Sequence, residues 1–237
     1  MKKLVGFGCD GASINMGENG LRGYLDASVP WVFVFWCLSH RLELSLKDAL
    51  SKTLFKDVGE MLLQQYYLYE HSPKKCRVLS MITDAITASA SPDLVSSGGA
   101  RPLRVCGTRF VAHKVSALER VIKQYDVYLN HLALLSEDSS LKAKDRQTMK
   151  GYLLQWHNGK LLLGCALFLD ILKPAAVLCK VLQDDELCVV AAIESIWKTQ
   201  RTWINLNKQA LLTFHRSSTF CRPCTILLEN QLTRALT

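Results

Sequence analysis

Asp10 closes an apolar run, Leu4-Val5-Gly6-Phe7-Gly8-Cys9, and is followed at once by Gly11-Ala12-Ser13. A carboxylate at the carboxyl end of a buried parallel strand stands where such sheets expose their ligand sites. The same residue type also caps a following helix. A second set is Cys37 and His40, which follow the apolar run Trp31–Trp36. Three residues apart at a helix start, they share one face, where a metal or a phosphate is within reach. A buried thiol and a hydrogen-bonded histidine would read the same way, and no third group orients the pair as nucleophile and base. A third set is Cys106-Gly107-Thr108-Arg109-Phe110. Thr108 suits a helix N-cap, and Arg109 beside Phe110 suits a phosphate contact joined to base stacking. A capped helix start with a surface arginine is the plainer reading.

Other chemistry is thinly supported. Two-metal phosphodiester chemistry needs several carboxylates converging on ions about 3.5–4 Å apart, and nothing in the spacing of Asp26, Asp48 or Asp57 aims them at Asp10. Gly6, Gly8 and Gly11 precede the helix at the wrong spacing for a dinucleotide fingerprint. Cys221 and Cys224 have metal-ligand spacing, and His215 could add a third ligand. The second cysteine pair of a structural zinc site is missing, so no metal is expected.

The elements that carry these residues are of two kinds. Residues 1–53 read as strand, short helix around 20–27, strand and helix 38–50. The two apolar runs suit strands covered on both faces, and a right-handed crossover makes them parallel. Leu38, Leu42, Leu46 and Ala49 repeat at helical spacing. From 54 to 210 the pattern is helical: 55–69, 74–88, 111–135, 141–154, 161–182 and 185–206, with Pro174 expected to kink or divide the fifth. Residues 89–105 form the clearest loop, with two prolines and Ser96-Ser97-Gly98-Gly99. Residues 211–237 read as an irregular tail. The expected fold is therefore an α/β fragment followed by a predominantly α-helical region, mainly helical overall.

Of the 237 residues, 49% are hydrophobic and 21% charged, which suffices for a real core. Nine cysteines in a chain of this size, mostly inside apolar patterns, suggest reduced thiols rather than a disulfide framework. The apolar run Leu161–Leu172 is interrupted by Gly164 and Asp170 and is too short for a bilayer. The start lacks a secretory pattern, so a soluble intracellular chain without a membrane partner is expected. Net charge is +8, and nine basic against three acidic residues between His71 and Lys123 supply most of it. That stretch suits a polyanion such as DNA.

Taken together, the order of motifs resembles the transposases of the hAT superfamily. The likeness rests on a strand ending in Asp-Gly-Ala, on Cys-x-x-His-x-Leu-x-Leu about 27 residues later, and on Thr-Arg-aromatic after that. Their domesticated descendants, the zinc finger protein 862-like proteins, are similar as well in Tyr66–Pro73 and Asp170–Pro174. The resemblance spans most of residues 1–210. It implies a partial ribonuclease-H-like core in 1–53 and a helical insertion domain in 54–210. Asp10 would match the second catalytic carboxylate and Cys37 and His40 the family signature. Arg109 and Phe110 would match an insertion element whose usual tryptophan is here phenylalanine. With Lys74, Lys75 and Lys114, those two are the candidate DNA contacts.

The departures shape the expectation. The first catalytic aspartate of the family lies on an earlier strand and the third carboxylate beyond the insertion, and neither Glu194 nor Glu229 has a matching context. An intact relative uses magnesium, whereas no cofactor is expected here. The expected function is that of a catalytically inactive, truncated, domesticated transposase, nuclear, with residual DNA binding and vestigial Asp10. The alternative is a protein-interaction module that binds a partner, a full-length relative or itself.

Overall fold

Strand β1, Gly6–Cys9, and strand β2, Phe33–Trp36, form a two-stranded parallel sheet in the computed structural model, with Gly6 opposite Phe33 and Cys9 opposite Trp36. The structure describes residues 4–51, 54–89, 99–105 and 110–214. Two short helices, α1 (Ser13–Met16) and α2 (Leu21–Ser28), make the crossover that parallel strands require. The glycines of β1 have a packing role. A Cβ on Gly8 would lie 2.7 Å from the Phe35 ring, and one on Gly11 would collide with the Trp36 indole. Glycine at these positions lets aromatic rings of β2 lie across β1, and the Arg41 guanidinium sits 5.5 Å from the Trp36 ring.

The expectation that both strands are covered on both faces is not met. Phe33 and Phe35 stack on each other with centroids 6.0 Å apart, and both are exposed, as are Trp31 and Trp36. The rings pack along the sheet and onto glycine rather than beneath a covering layer. An apolar run reports residue type, not what lies above it.

Helix α3, Leu38–Leu50, buries Leu42, Leu46 and Ala49 as expected, together with Leu50, but leaves Leu38 exposed at its start. The remaining helices are α4 (Leu54–Glu70), α5 (Pro73–Ser89), α6 (Phe110–Lys123), α7 (Tyr125–Glu137), α8 (Ala143–Trp156), α9 (Gly159–Val181) and α10 (Val189–Phe214). The chain is mainly helical. One helix expected over 111–135 is in fact two, because Gln124 leaves helical geometry at φ −110° and ψ 22°. No glycine or proline marks the break. The turn sends Tyr128 and His131 of α7 into the interior.

Helix α9 runs undivided through Pro174. The hydrogen bond that proline cannot donate belongs to the carbonyl of Asp170, an exposed residue of the preceding turn. At 23 residues α9 is long and apolar enough to cross a bilayer by length and composition, more than the run 161–172 suggested. Its Leu161, Cys165, Phe168, Leu172, Ala175 and Leu178 are all buried against protein.

Two compact units result: residues 1–51 with 174–237, and residues 52–173. Residues from Pro174 onward, in the expected 54–210 helical stretch, group with residues 1–51. The cause is local. Ser39 on α3 donates to the Cys179 carbonyl at 3.4 Å and accepts from Gln183 at 2.8 Å, which ties the end of α9 to the N-terminal fragment.

In the 52–173 unit, α7 packs on α8 and α5, and α4 meets α5 and α6. Gly164 of α9 lets Leu54 and Val58 of α4 approach, since an added Cβ would sit 3.0 Å from the Leu54 side chain. The core is aromatic. Phe55 and Phe168 lie 4.7 Å apart, and Tyr128 meets Trp156 edge-on at 5.5 Å and Tyr69 at 6.4 Å. Hydroxyls buried here find partners, as Tyr128 donates to the Ala100 carbonyl at 2.7 Å and Tyr125 to that of Trp156 at 2.6 Å. Ala100, Pro102 and Val105 are buried, so the end of the 89–105 loop is anchored in this core.

Candidate functional site

Asp10 and Cys37 each stand one residue past the end of their strand. The bond from Cys37 N–H to the Cys9 carbonyl, 2.7 Å, sets them side by side at the carboxyl edge of the sheet. Cys37 is the N-cap of α3 but makes no side-chain cap bond. His40 lies on the first turn of α3, close enough for its charge to act on Asp10. The three residues are thus brought to one edge.

Their chemistry there is limited. Oδ1 of Asp10 accepts from Asn15 Nδ2 at 2.7 Å and from the Ala12 N–H at 3.2 Å. These bonds hold the carboxyl below its ordinary range, Asn15 contributing most, then Ala12, with His40 adding a smaller pull. An aspartate that bonds its own chain two residues on is a turn former, so the carboxylate organises its own loop. No hydrogen bond joins Cys37 to His40. Magnesium would need more than this single carboxylate, and among the described residues no group of three or more His, Cys, Asp or Glu side chains converges. The donors do not fit a two-metal site. Asn15→Ala is expected to raise the Asp10 pKa toward that of an ordinary aspartate, read from its carboxyl carbon shift against pH. A titration unchanged by the substitution would refute the assigned cause.

The candidate DNA contacts are dispersed. Arg109 lies outside the described residues, as do Cys106, Thr108, His215, Cys221, Cys224 and Glu229. Phe110, the first residue of α6, is half-buried, and the Lys114 ammonium sits 4.8 Å from its ring and 5.3 Å from that of Phe168. The ammonium lies over two aromatic rings, a cation–π arrangement. Of the described cysteines, Cys165 and Cys179 are buried, and burial pushes each thiol up to about 12. Cys9, Cys37 and Cys76 are half-buried and Cys188 is exposed, so fewer thiols are interior than the apolar pattern suggested.

Lys74 and Lys75 behave differently. They occupy the first turn of α5, which holds no acidic residue, and Arg77 follows. Ser72 accepts from the Lys75 N–H at 3.4 Å. Cations stacked on the positive end of a helix dipole are unfavourable to the helix and attractive to anions. Two further cations join them from the far side of the 89–98 segment. Arg101 donates to the carbonyl of Glu70, the last residue of α4, at 3.4 Å, and the charges of Arg101 and Arg104 both act on Tyr66 one turn earlier. The α4–α5 junction therefore gathers Lys74, Lys75, Arg77, Arg101 and Arg104. Arg101 and Arg104 belong to the basic stretch 71–123 but were not among the contacts expected from the sequence.

One more feature lies on α10, where Glu194, Trp197, Lys198, Arg201, Thr202 and Asn205 line a depression of about 380 Å³. All six come from a single helix, so among the described residues no opposing wall encloses the depression. No known protein family, no curated protein and no solved structure matches this chain.

Proposed function

We propose that the chain is a non-catalytic, transposase-derived nuclear protein that binds DNA through the basic surface of its 52–173 unit. The observation that carries the reading is the gathering of Lys74, Lys75, Arg77, Arg101 and Arg104 around the α4–α5 junction. Residues 52–173 hold 17 basic and 11 acidic side chains, so the excess of positive charge belongs mostly to this unit. Contacts of this kind are to phosphates and position a protein on DNA without reading its sequence. The transposase origin is supported by motif order and by the parallel pairing of two strands, the first ending at Asp10 and the second running into Cys37 and His40. In this reading residues 1–51 are a partial ribonuclease-H-like core, and Asp10 is a structural vestige of its carboxylate set.

A salt titration of labelled duplex DNA by fluorescence anisotropy tests the DNA half. Four phosphate contacts give a log–log slope near −4 and a loss of roughly 10²-fold in affinity between 50 and 200 mM salt. Lys74→Glu with Lys75→Glu is expected to flatten the slope by about two and weaken binding throughout. Lys114→Ala should change neither. Absence of binding at 50 mM salt, or binding indifferent to the double substitution, rejects the proposal.

A second reading, a protein-interaction module, is favoured by one observation. The aromatic face of the β1–β2 sheet is exposed, and isolated two-stranded sheets are marginal in water.

A further inference from the structure

We propose that β2 pairs edge to edge with β2 of a second copy of this chain, making a four-stranded sheet across a two-fold axis. The proposal rests on the interaction reading and names its partner.

The backbone supplies the first argument. Phe33 N–H bonds to the Val5 carbonyl and Cys37 N–H to that of Cys9, so the odd residues of this stretch turn their backbone toward β1. Strand alternation then directs the N–H and C=O groups of Val34 and Trp36 to the opposite edge, where no described residue meets them. A two-fold axis at Phe35 lets Val34 of each copy exchange both bonds with Trp36 of the other. The two Phe35 residues become a directly opposed aromatic pair on one face.

The second argument is what the edge lacks. Natural edge strands are blunted by charges, prolines or bulges. Trp31-Val32-Phe33-Val34-Phe35-Trp36 carries none of these. Nor does charge oppose a second copy, because residues 1–51 balance five basic against five acidic side chains.

Area is the third. Phe33 is 70% exposed, Trp31 55%, Phe35 47% and Trp36 38%. At about 150–250 Å² per aromatic side chain, these four present roughly 300–500 Å² per copy. Edge pairing covers only the seam side of these rings, chiefly the opposed Phe35 pair, so the buried area stays below the ~1,200 Å² of stable complexes. A self-complementary patch of that size fits a reversible homodimer.

The test is the mass of the intact chain by light scattering after gel filtration, from about 1 to 100 μM. The expected result is a concentration-dependent rise from 26.6 kDa to twice that value. Val34→Pro removes only an outward N–H and is tolerated at a strand edge, and Phe33→Lys places a charge on the exposed face. Either is expected to leave the far-UV spectrum unchanged and keep the chain monomeric. Trp197→Ser on α10 should leave the dimer intact. A wild-type monomer at every concentration overturns the proposal, as does a dimer indifferent to both β2 variants or lost with Trp197→Ser. A monomer that still binds a hydrophobic dye, and loses that binding with Phe33→Lys, leaves the broader interaction reading standing. A monomer that binds no dye ends both.

Discussion

Tyr128→Ala is expected to cost about 4 kcal/mol of stability, the range for removing a buried aromatic side chain from a core that cannot collapse around the gap. Tyr128 is fully buried at the point where α7 faces Tyr69 on α4 and Trp156 on α8. Its hydroxyl also donates 2.7 Å to the carbonyl of Ala100, itself buried, so truncation opens a cavity and strands an acceptor together. Tyr128→Phe separates the two effects. It keeps the ring and loses the bond, for an expected cost of about 1–2 kcal/mol. Urea unfolding read from tryptophan fluorescence is a suitable measurement, because Trp156 is the sole tryptophan of residues 52–173 and touches the mutated ring. If Tyr128→Ala cost no more than Tyr128→Phe, the aromatic cluster would not be what holds this unit together. Loss of near-ultraviolet signal without loss of helicity would show the same core loosening while its helices persist.

The elements legible in the sequence are those whose signal is local. Leu42, Leu46 and Ala49 of α3 repeat at helical spacing and are buried, whereas Leu38 at the helix start stays exposed. Parallel pairing of β1 and β2 follows from two apolar runs separated by a crossover too long for a hairpin. What the sequence hides depends on tertiary context. Gln124 ends α6 without a breaker residue, because the turn serves the burial of Tyr128 and His131 rather than any propensity of its own. Pro174 reads as a break, yet its missing donor falls on an exposed turn where the helix tolerates it. The exposed rings of β2 were unreadable for a related reason. Aromatic residues fit a pleated surface equally well whether or not a second layer covers it.

Site residues divide along the same line. The approach of Asp10 to Cys37 follows from strand register, which the two runs imply. That Asp10 bonds Asn15 and Ala12 is a matter of side-chain direction, and a strand-end aspartate reads identically in an active site and in a turn. Lys114 counts as one positive charge in any tally of the sequence. Only its position over Phe110 and Phe168 shows that the charge is folded onto rings. Arg101 and Arg104 are the converse case. They are separated from Lys74 by α5 and the 89–98 segment, and only the contact with Glu70 brings them to the same junction.

Acid is expected to destabilise the helical unit well above the pH at which its exposed carboxylates titrate, and His131 is the reason. The imidazole is buried, with Nδ1 2.9 Å from the Tyr69 hydroxyl, while Nε2 has no partner. Burial pushes its pKa down to about 4 from an ordinary 6.5, and the nearby charge of Lys75 adds to the shift. With the folded pKa below the unfolded one, the unfolded chain binds the extra proton first as pH falls. Stability from this residue is complete above pH 6.5 and declines through the window toward pH 4, by about 3 kcal/mol in all. Unfolding free energies measured between pH 7.5 and 5 isolate the effect, because aspartate and glutamate stay ionised across most of that range. His131→Phe removes the titrating group and is expected to flatten the curve while preserving ring volume. Lys75→Ala should raise the His131 pKa, leaving the onset of the loss in place but making the total loss smaller and its end come at higher pH. Equal slopes for the native chain and His131→Phe would mean that the imidazole is solvated in the folded state, and the buried pairing with Tyr69 would have to be abandoned.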